Sequence, residues 1–509
     1  FGSSAAHRIS AQRIRFSLGG YEMDLAGLNE PPNLLNAAGE DEVLWSLLAI
    51  IGAIGVPAAL GALIDFAGCW TASARGHPPA RVIGMVLGSY IILVPGIHAN
   101  LLSFNIYAHI QVLFLTFGYN VTHEPIEEST ASLVDLLRSS KGYVAATFVI
   151  FYAVVMPVAK LLLLLLGELW RNSQDSGYRR AARWCVRSVK YISKWASPDM
   201  FAYILLIFLF RHLNKPPLVQ CQASLGIGFL CFSVFCVSST FSTLAIREPE
   251  RLEVETSPTE VLAPSYARYS KNIIGLLFGI FIVLLVAGVT TPCLALRMNT
   301  EAFVKPTGPL PRDMLPMLDE LKLPALLDVD VSVLNCATAL VGWAASGEIA
   351  LIVAVVMLAV FAVLIPVLDM TLLLVAAHST QRSNGEANSV QTRALMAAET
   401  LRHVSMLDVF CMGVVVVNSA GVAYSKFGFD LALLRGMAPL VCAEIVHSAT
   451  YQLVSRTARA YQPLSRLERS VDVAPPVAES VVRPAPAERS TPEVEGKFLP
   501  VATDASVRA

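Results

Sequence analysis

The apolar part of this chain is written twice. Ala153, Val154, Pro157 and Val158 recur 209 positions later as Ala362, Val363, Pro366 and Val367. The same offset carries Asp199 and Phe201 onto Asp408 and Phe410, and Ser239 and Arg247 onto Ser448 and Arg456. Apolar composition alone does not hold one offset from 153 to 247. Two copies of one helical unit therefore make up the protein, and duplicated membrane units place their working site between the copies.

Of the 509 residues, 55% are hydrophobic and 15% charged, whereas a soluble domain carries about 25% charged residues. Apolar runs near 20 residues long need helices, because a bilayer offers the backbone no hydrogen bonds. The fold class is thus an all-α polytopic membrane protein, with two tandem parallel four-helix repeats and one extra N-terminal span. A net charge of −1 excludes a nucleic-acid partner. Nine cysteines sit at 69, 185, 221, 231, 236, 293, 336, 411 and 442. None forms a Cys-x-x-Cys pair, and most lie in apolar runs, so they read as small buried hydrophobes and no metal or cofactor is expected. The numbering starts at Phe1, not Met, and is expected to begin inside a longer product.

Nine candidate spans follow. One, 43–66, stands outside the duplication. Repeat one (82–247) has spans near 82–104, 143–167, 196–213 and 221–245. Repeat two (271–456) has spans near 272–296, 347–376, 405–423 and 431–454. The spans 196–213 and 405–423 are short enough to be half-embedded. Residues 1–41 form a polar N-terminal segment, 42–67 hold the extra span, and 457–509, rich in Pro, Glu, Ser and Arg, read as a disordered tail.

Charge orients the chain. The loop 168–194 carries Arg171, Arg179, Arg180, Arg183, Arg187, Lys190 and Lys194 against Glu168 and Asp175. The positive-inside rule makes it and the tail cytosolic. The acidic-leaning loops 105–141 and 297–346 then face the other side. Four spans per repeat keep both copies in the same orientation. Asn120-Val121-Thr122 on the far side is a weak glycosylation sequon.

In the second span of each repeat, Pro157 and Pro366 cannot donate to the carbonyls of Ala153 and Ala362, so each kinks its helix. The bend either fits the helix against its neighbours or opens a cavity between repeats. Three residues later come Lys160 and, at the matched position, Asp369. A charge deep in a membrane helix costs about 2.5–3.5 kcal/mol on insertion scales. Lys160 either snorkels to the cytosolic boundary or meets Asp369 near the pseudo-axis, directly or through water; Asp369 is too short to snorkel and needs a partner or a proton.

Asp199 and Asp408 open the third spans. They either cap those helices at the cytosolic boundary or line the inner mouth of a polar cavity. In the last spans Ser239 matches Ser448, with His447 and Glu444 nearby. The hydroxyls either bond their own carbonyls or join a network. Glu444 and His447, spaced i, i+3, are placed to share a proton. No phosphate-cradling Gly-rich loop, nucleophile elbow or His-Glu-x-x-His helix is present, so no enzyme chemistry is legible.

The segments SKWASPDMFAY and RHVSMLDVFCM resemble the Trp-Ser-Met-x-Asp/Glu-Val-Phe element of the paraquat-inducible protein A family. PVAKLLLLL, PVLDMTLLL, SLVDLL and SVLNCA add weaker likeness, and the resemblance covers about 82–456. It implies two tandem four-helix units and a role in moving lipids across or out of a membrane. It also implies a partner whose MCE domains form a tunnel, and a polar network between the units that responds to protons. Lys160 and Asp369 are the best carriers of that network. The chain departs from the family in lacking the cysteine-rich zinc ribbons, in its extra first span, in its tail and in Val404 at the position matching Trp195. These departures suggest a divergent eukaryotic or organellar relative.

Three functions are expected to compete. The first is a lipid-transport subunit moving phospholipid-like substrates through a polar cavity between repeats. The others are a proton-coupled transporter of small solutes and a membrane scaffold acting through its tail prolines, Pro475, Pro476, Pro484 and Pro486. The host membrane, whether plasma, inner or organellar, is not legible.

Overall fold

The computed structural model describes residues 15–18, 21–24, 40–67, 78–112, 115–120, 126–216, 219–249, 264–298, 328–379, 388–425 and 429–472. The chain divides into two units, Phe1–Ala458 and Arg459–Ala509. The expected disordered tail, 457–509, is helical over 457–472 as the end of the helix Met437–Asp472, whose helix pattern carries on from the last span; from 473 onward it lies outside the described residues.

The polar N-terminal segment contains an antiparallel hairpin, β1 (Arg15–Leu18) with β2 (Tyr21–Asp24). Next come α1 (Glu40–Phe66), which is the extra span, and α2 (Ala80–His98). These two helices meet through small residues. A Cβ on Gly84 would lie 2.1 Å from the Pro57 carbonyl oxygen, and one on Gly61 2.4 Å from that of Ala80. Ala80, Gly84 and Gly88 repeat every four positions, the spacing that lets membrane helices touch backbone to backbone.

Repeat one continues with β3 (Leu102–Val112), β4 (Leu115–Asn120), β5 (Ile126–Glu128), α3 (Thr130–Ser139) and α4 (Tyr143–Ile150). A π-helical segment, Phe151–Val155, joins α4 to α5 (Met156–Leu169). Then come α6 (Ser176–Ile192), a short 3-10 turn (Ser193–Ala196), α7 (Pro198–His212), β6 (Val219–Leu225) and α8 (Ile227–Leu244). Repeat two reads α9 (Pro264–Thr290), β7 (Leu294–Met298), β8 (Val329–Val331), α10 (Val333–Ala344) and α11 (Ile349–Val355). A second π segment, Val356–Leu364, leads into α12 (Ile365–Ser379), followed by α13 (Asn388–Val404), α14 (Leu407–Tyr424), β9 (Phe429–Leu433) and α15 (Met437–Asp472). Apart from β4 and the 3-10 turn of repeat one, which have no counterpart among the described residues of repeat two, the order of elements is the same in both copies.

Among the described residues, eight stretches are long and apolar enough to cross a membrane. The protein is therefore a multi-pass integral membrane protein. Of the nine expected spans, 431–454 is not among the eight: 431–433 belong to β9, and α15, which supplies the helix from Met437 on, carries Glu444 and His447. Three other predicted spans run too far: 102–104, 221–225 and 294–296 are strands, because an apolar run does not distinguish strand from helix at its ends. These strands build one small antiparallel sheet per repeat. β3 pairs with β4, β5 and β6, with Leu102 opposite Leu225; β7 pairs with β8 and β9, with Leu294 opposite both Val331 and Leu433.

Both second-span prolines, Pro157 and Pro366, lie in the first turn of their helices. Each is preceded by a π segment, so the chain accommodates the missing donor with bonds one residue longer. Met156 donates to the Phe151 carbonyl and Ile365 to that of Val360. The core sits where the repeats meet. Every residue of α7 from Pro198 to Phe210 is buried, so this short span is enclosed by protein.

Candidate functional site

The two copies touch at their equivalent residues. Phe201 and Phe410 stack edge-on, with centroids 5.7 Å apart. Ser197 and Met406, another pair 209 apart, approach through Oγ and Sδ at 3.8 Å. The pseudo-axis therefore passes between α7 and α14. Gly413 permits the approach, since a Cβ there would lie 2.7 Å from that of Phe201. The π segment before α12 helps seat α14: the Phe361 carbonyl accepts the backbone N–H of Met406 at 3.0 Å.

Lys160 is fully buried and does not snorkel. The 3-10 turn after α6 and the helix α8 close the side chain in. Its Nζ donates to Ser193 Oγ at 2.6 Å, to the Ser239 carbonyl at 2.9 Å and to Ser239 Oγ at 3.1 Å. Behind them, Ser193 Oγ bonds Thr240 Oγ1 at 3.2 Å and Thr243 Oγ1 at 3.1 Å. Thr240 and Thr243 also bond carbonyls of their own helix, so both readings of the hydroxyls apply here. An ammonium has three donors and no acceptor, and this set of oxygens accepts all of them.

Asp369 is equally buried. Its Oδ2 meets His447 Nε2 at 2.8 Å, and His447 Nδ1 faces Glu444 Oε2 at 3.3 Å. The three side chains form a chain from α12 along α15. Arg402 lies within electrostatic reach of Asp369, bonds Ser448 Oγ at 3.3 Å and stacks on the Tyr451 ring at 3.9 Å.

Arg402 is the repeat counterpart of Ser193, and Ser448 that of Ser239. The same three positions thus hold a cation and two hydroxyls in one copy and an anion, a cation and a hydroxyl in the other, with His447 at the position that matches Ser238. The expected meeting of Lys160 with Asp369 is not among the contacts of either residue. Each finds its partners inside its own repeat, Lys160 in the 3-10 turn and α8 and Asp369 in α15, while Asp369 Oδ1 has no hydrogen-bond partner among the described residues.

Two ion pairs cross between repeats, one near each end of α7. Lys194 Nζ meets Asp408 Oδ2 at 2.8 Å and the Ser405 carbonyl at 3.2 Å. Arg211 meets both oxygens of Glu348, at 2.7 and 3.0 Å, and lies 5.5 Å over the Trp343 ring. Asp408 also bonds its neighbour, the Val409 N–H, at 2.9 Å; no side-chain cap bond forms at either helix start. Asp199 is buried, and neither carboxylate oxygen has a hydrogen-bond partner among the described residues. The matched acids therefore do different work.

Outside the spans, Glu128 is buried at the end of β5. Burial pushes its carboxyl up to about 7 against a small opposing effect of Ser132. It lies within electrostatic reach of Tyr203 and Tyr424, whose buried hydroxyls lack a well-formed hydrogen bond among the described residues; Thr130 faces that of Tyr203. The side chain of Asn120, at the end of β4, lies outside the described residues.

Sequence reasoning missed Ser193, Arg402, Lys194, Arg211, Glu348 and Glu128. The 209-residue offset contained part of the signal, because Ser193 pairs with Arg402 and Lys194 with His403.

A profile of the paraquat-inducible protein A family matches residues 96–250 and 325–450. The chain belongs to this family. The two matched regions fall on the two structural repeats, so the family unit is present twice. No curated protein and no solved structure is significantly similar to the chain.

Proposed function

We propose that this chain is a lipid-transport subunit that moves phospholipid-like substrates along the polar seam between its repeats. One observation carries the reading. Lys160 and Asp369 are buried at equivalent positions on two proline-bearing helices, each inside a hydrogen-bonded network. Membrane proteins retain such costly groups mainly where a polar substrate or a proton must pass. The ion pairs at the two ends of α7 supply separate points at which the seam can open. A partner with MCE domains would continue the path beyond the membrane.

The Asp369–His447–Glu444 chain favours one further element, coupling to protons. Imidazole takes up a proton at one nitrogen and releases it at the other. That chemistry would equally serve a transporter of small solutes.

Lipid mass spectrometry on the protein in mild detergent separates the two. Wild type is expected to retain a defined phospholipid that Asp369→Asn and Lys160→Met lose while remaining folded. Bulk membrane lipid in equal proportions for all three proteins would overturn the lipid site and leave the solute reading.

A further inference from the structure

The loop between α5 and α7 contains an amphipathic helix whose two faces do different work. On α6, Ala182, Cys185, Val186 and Val189 are buried; Val186 and Cys185 pack over Gly167 of α5. The opposite face carries Arg180, Trp184, Arg187 and Tyr191, at i, i+4, i+7 and i+11, which is one stripe of a helix. Trp184 is 66% exposed and Tyr191 60% exposed, a poor arrangement for large rings facing water alone. Beside them, Leu162, Leu165 and Leu169 of α5 are exposed, as expected of a surface against acyl chains.

The segment is basic as a whole: residues 168–194 carry seven arginines and lysines against Glu168 and Asp175. Glu168 is held by Arg171 at 2.8 Å, and Asp175 caps the helix through the Gly177 N–H at 2.9 Å. Glu248 meets Arg187 at 3.1 Å, an exposed pair that offsets one cation in part. The other repeat shows that the fold does not need this stripe. The matched positions on α13 are Ser389, Arg393, Met396 and Thr400, with neither paired arginines nor aromatic rings. The stripe therefore serves something outside the bundle.

We infer that the Arg180–Trp184–Arg187–Tyr191 face of α6 docks on the headgroups of anionic phospholipids in the leaflet it borders. Arginine supplies paired donors to phosphate, and Trp and Tyr rings settle at the headgroup level with their polar edges outward. This surface stands apart from the transport seam and does not depend on the lipid-transport reading.

The test titrates the full chain, in phosphatidylcholine–detergent micelles, with phosphatidylglycerol, reading retained lipid by native mass spectrometry and the thermal midpoint. Wild type is expected to take phosphatidylglycerol over phosphatidylcholine. Arg180→Gln with Arg187→Gln should weaken that preference on the order of tenfold, since each basic residue at an anionic surface contributes about 1 kcal/mol. The paired lysine substitutions should keep most of it. Glu248→Gln, which breaks the ion pair but leaves both cations, should hold or strengthen it. An unchanged preference in the double glutamine variant overturns the inference. So does equal uptake of both lipids by wild type, or full competition by inorganic phosphate.

Discussion

Phe201 and Phe410 lie 209 positions apart in sequence and 5.7 Å apart in space, ring edge to ring face. A residue and its own duplicate meet only on a pseudo-symmetry axis. Around this contact the symmetry breaks in a definite way, and the predictions below follow from where it breaks.

The matched acids Asp199 and Asp408 should respond oppositely to neutralisation. Asp408→Asn leaves the Lys194 ammonium with only the Ser405 carbonyl among its contacts described above. Losing one partner of a buried pair costs about 3–5 kcal/mol, and the observed cost should approach the lower figure because both groups keep some exposure. Asp199→Asn removes no hydrogen bond and should hold or raise the unfolding midpoint. A fall in stability for Asp199→Asn as large as that for Asp408→Asn would overturn the assignment.

His447→Phe should destabilise the protein by about 3 kcal/mol or more, because it leaves the Asp369 carboxylate buried without its Oδ2 partner. Asp369→Leu combined with His447→Phe should recover much of that loss. A double-mutant cycle measures the coupling, and strictly additive losses would show that the two side chains do not act as a pair.

Glu128 predicts a pH dependence of stability. Its carboxyl binds a proton more tightly when folded, at about 7, than at its ordinary value of 4.5. The contribution is complete below pH 4.5 and is lost as pH rises through 7, amounting to about 3 kcal/mol. Unfolding midpoints measured from pH 4 to pH 8 should fall across this window in wild type more steeply than in Glu128→Gln. Parallel curves would remove Glu128 as the cause.

Gly84 and Gly275 should differ sharply on substitution. A Cβ on Gly84 meets the Pro57 carbonyl at 2.1 Å, so Gly84→Ala must push α1 away from α2, at a cost of about 1–3 kcal/mol. Gly275, on α9, has nothing within 4 Å of the same atom. Gly275→Ala should be neutral or stabilising by up to about 1 kcal/mol through helix propensity. Thermal unfolding of the two variants side by side decides the matter.

The sequence by itself determined the membrane class, the duplication and the second-span prolines, because each is a local or periodic property of the chain. Hydropathy marks eight of the nine expected spans, and a constant offset survives any arrangement in space. It also singled out Lys160, Asp369, Glu444 and His447, since an ionisable group within an apolar run is conspicuous without any structure. Tertiary structure alone decided the partners. Lys160 turned to Ser193 and Ser239 rather than to Asp369, and Asp369 to His447, because the folded chain brings those groups of the same copy within hydrogen-bond distance. The small sheets were equally out of reach. Their pairings, such as Leu102 with Leu225 and Leu294 with Leu433, join residues more than a hundred positions apart, and only the folded chain brings those backbones together.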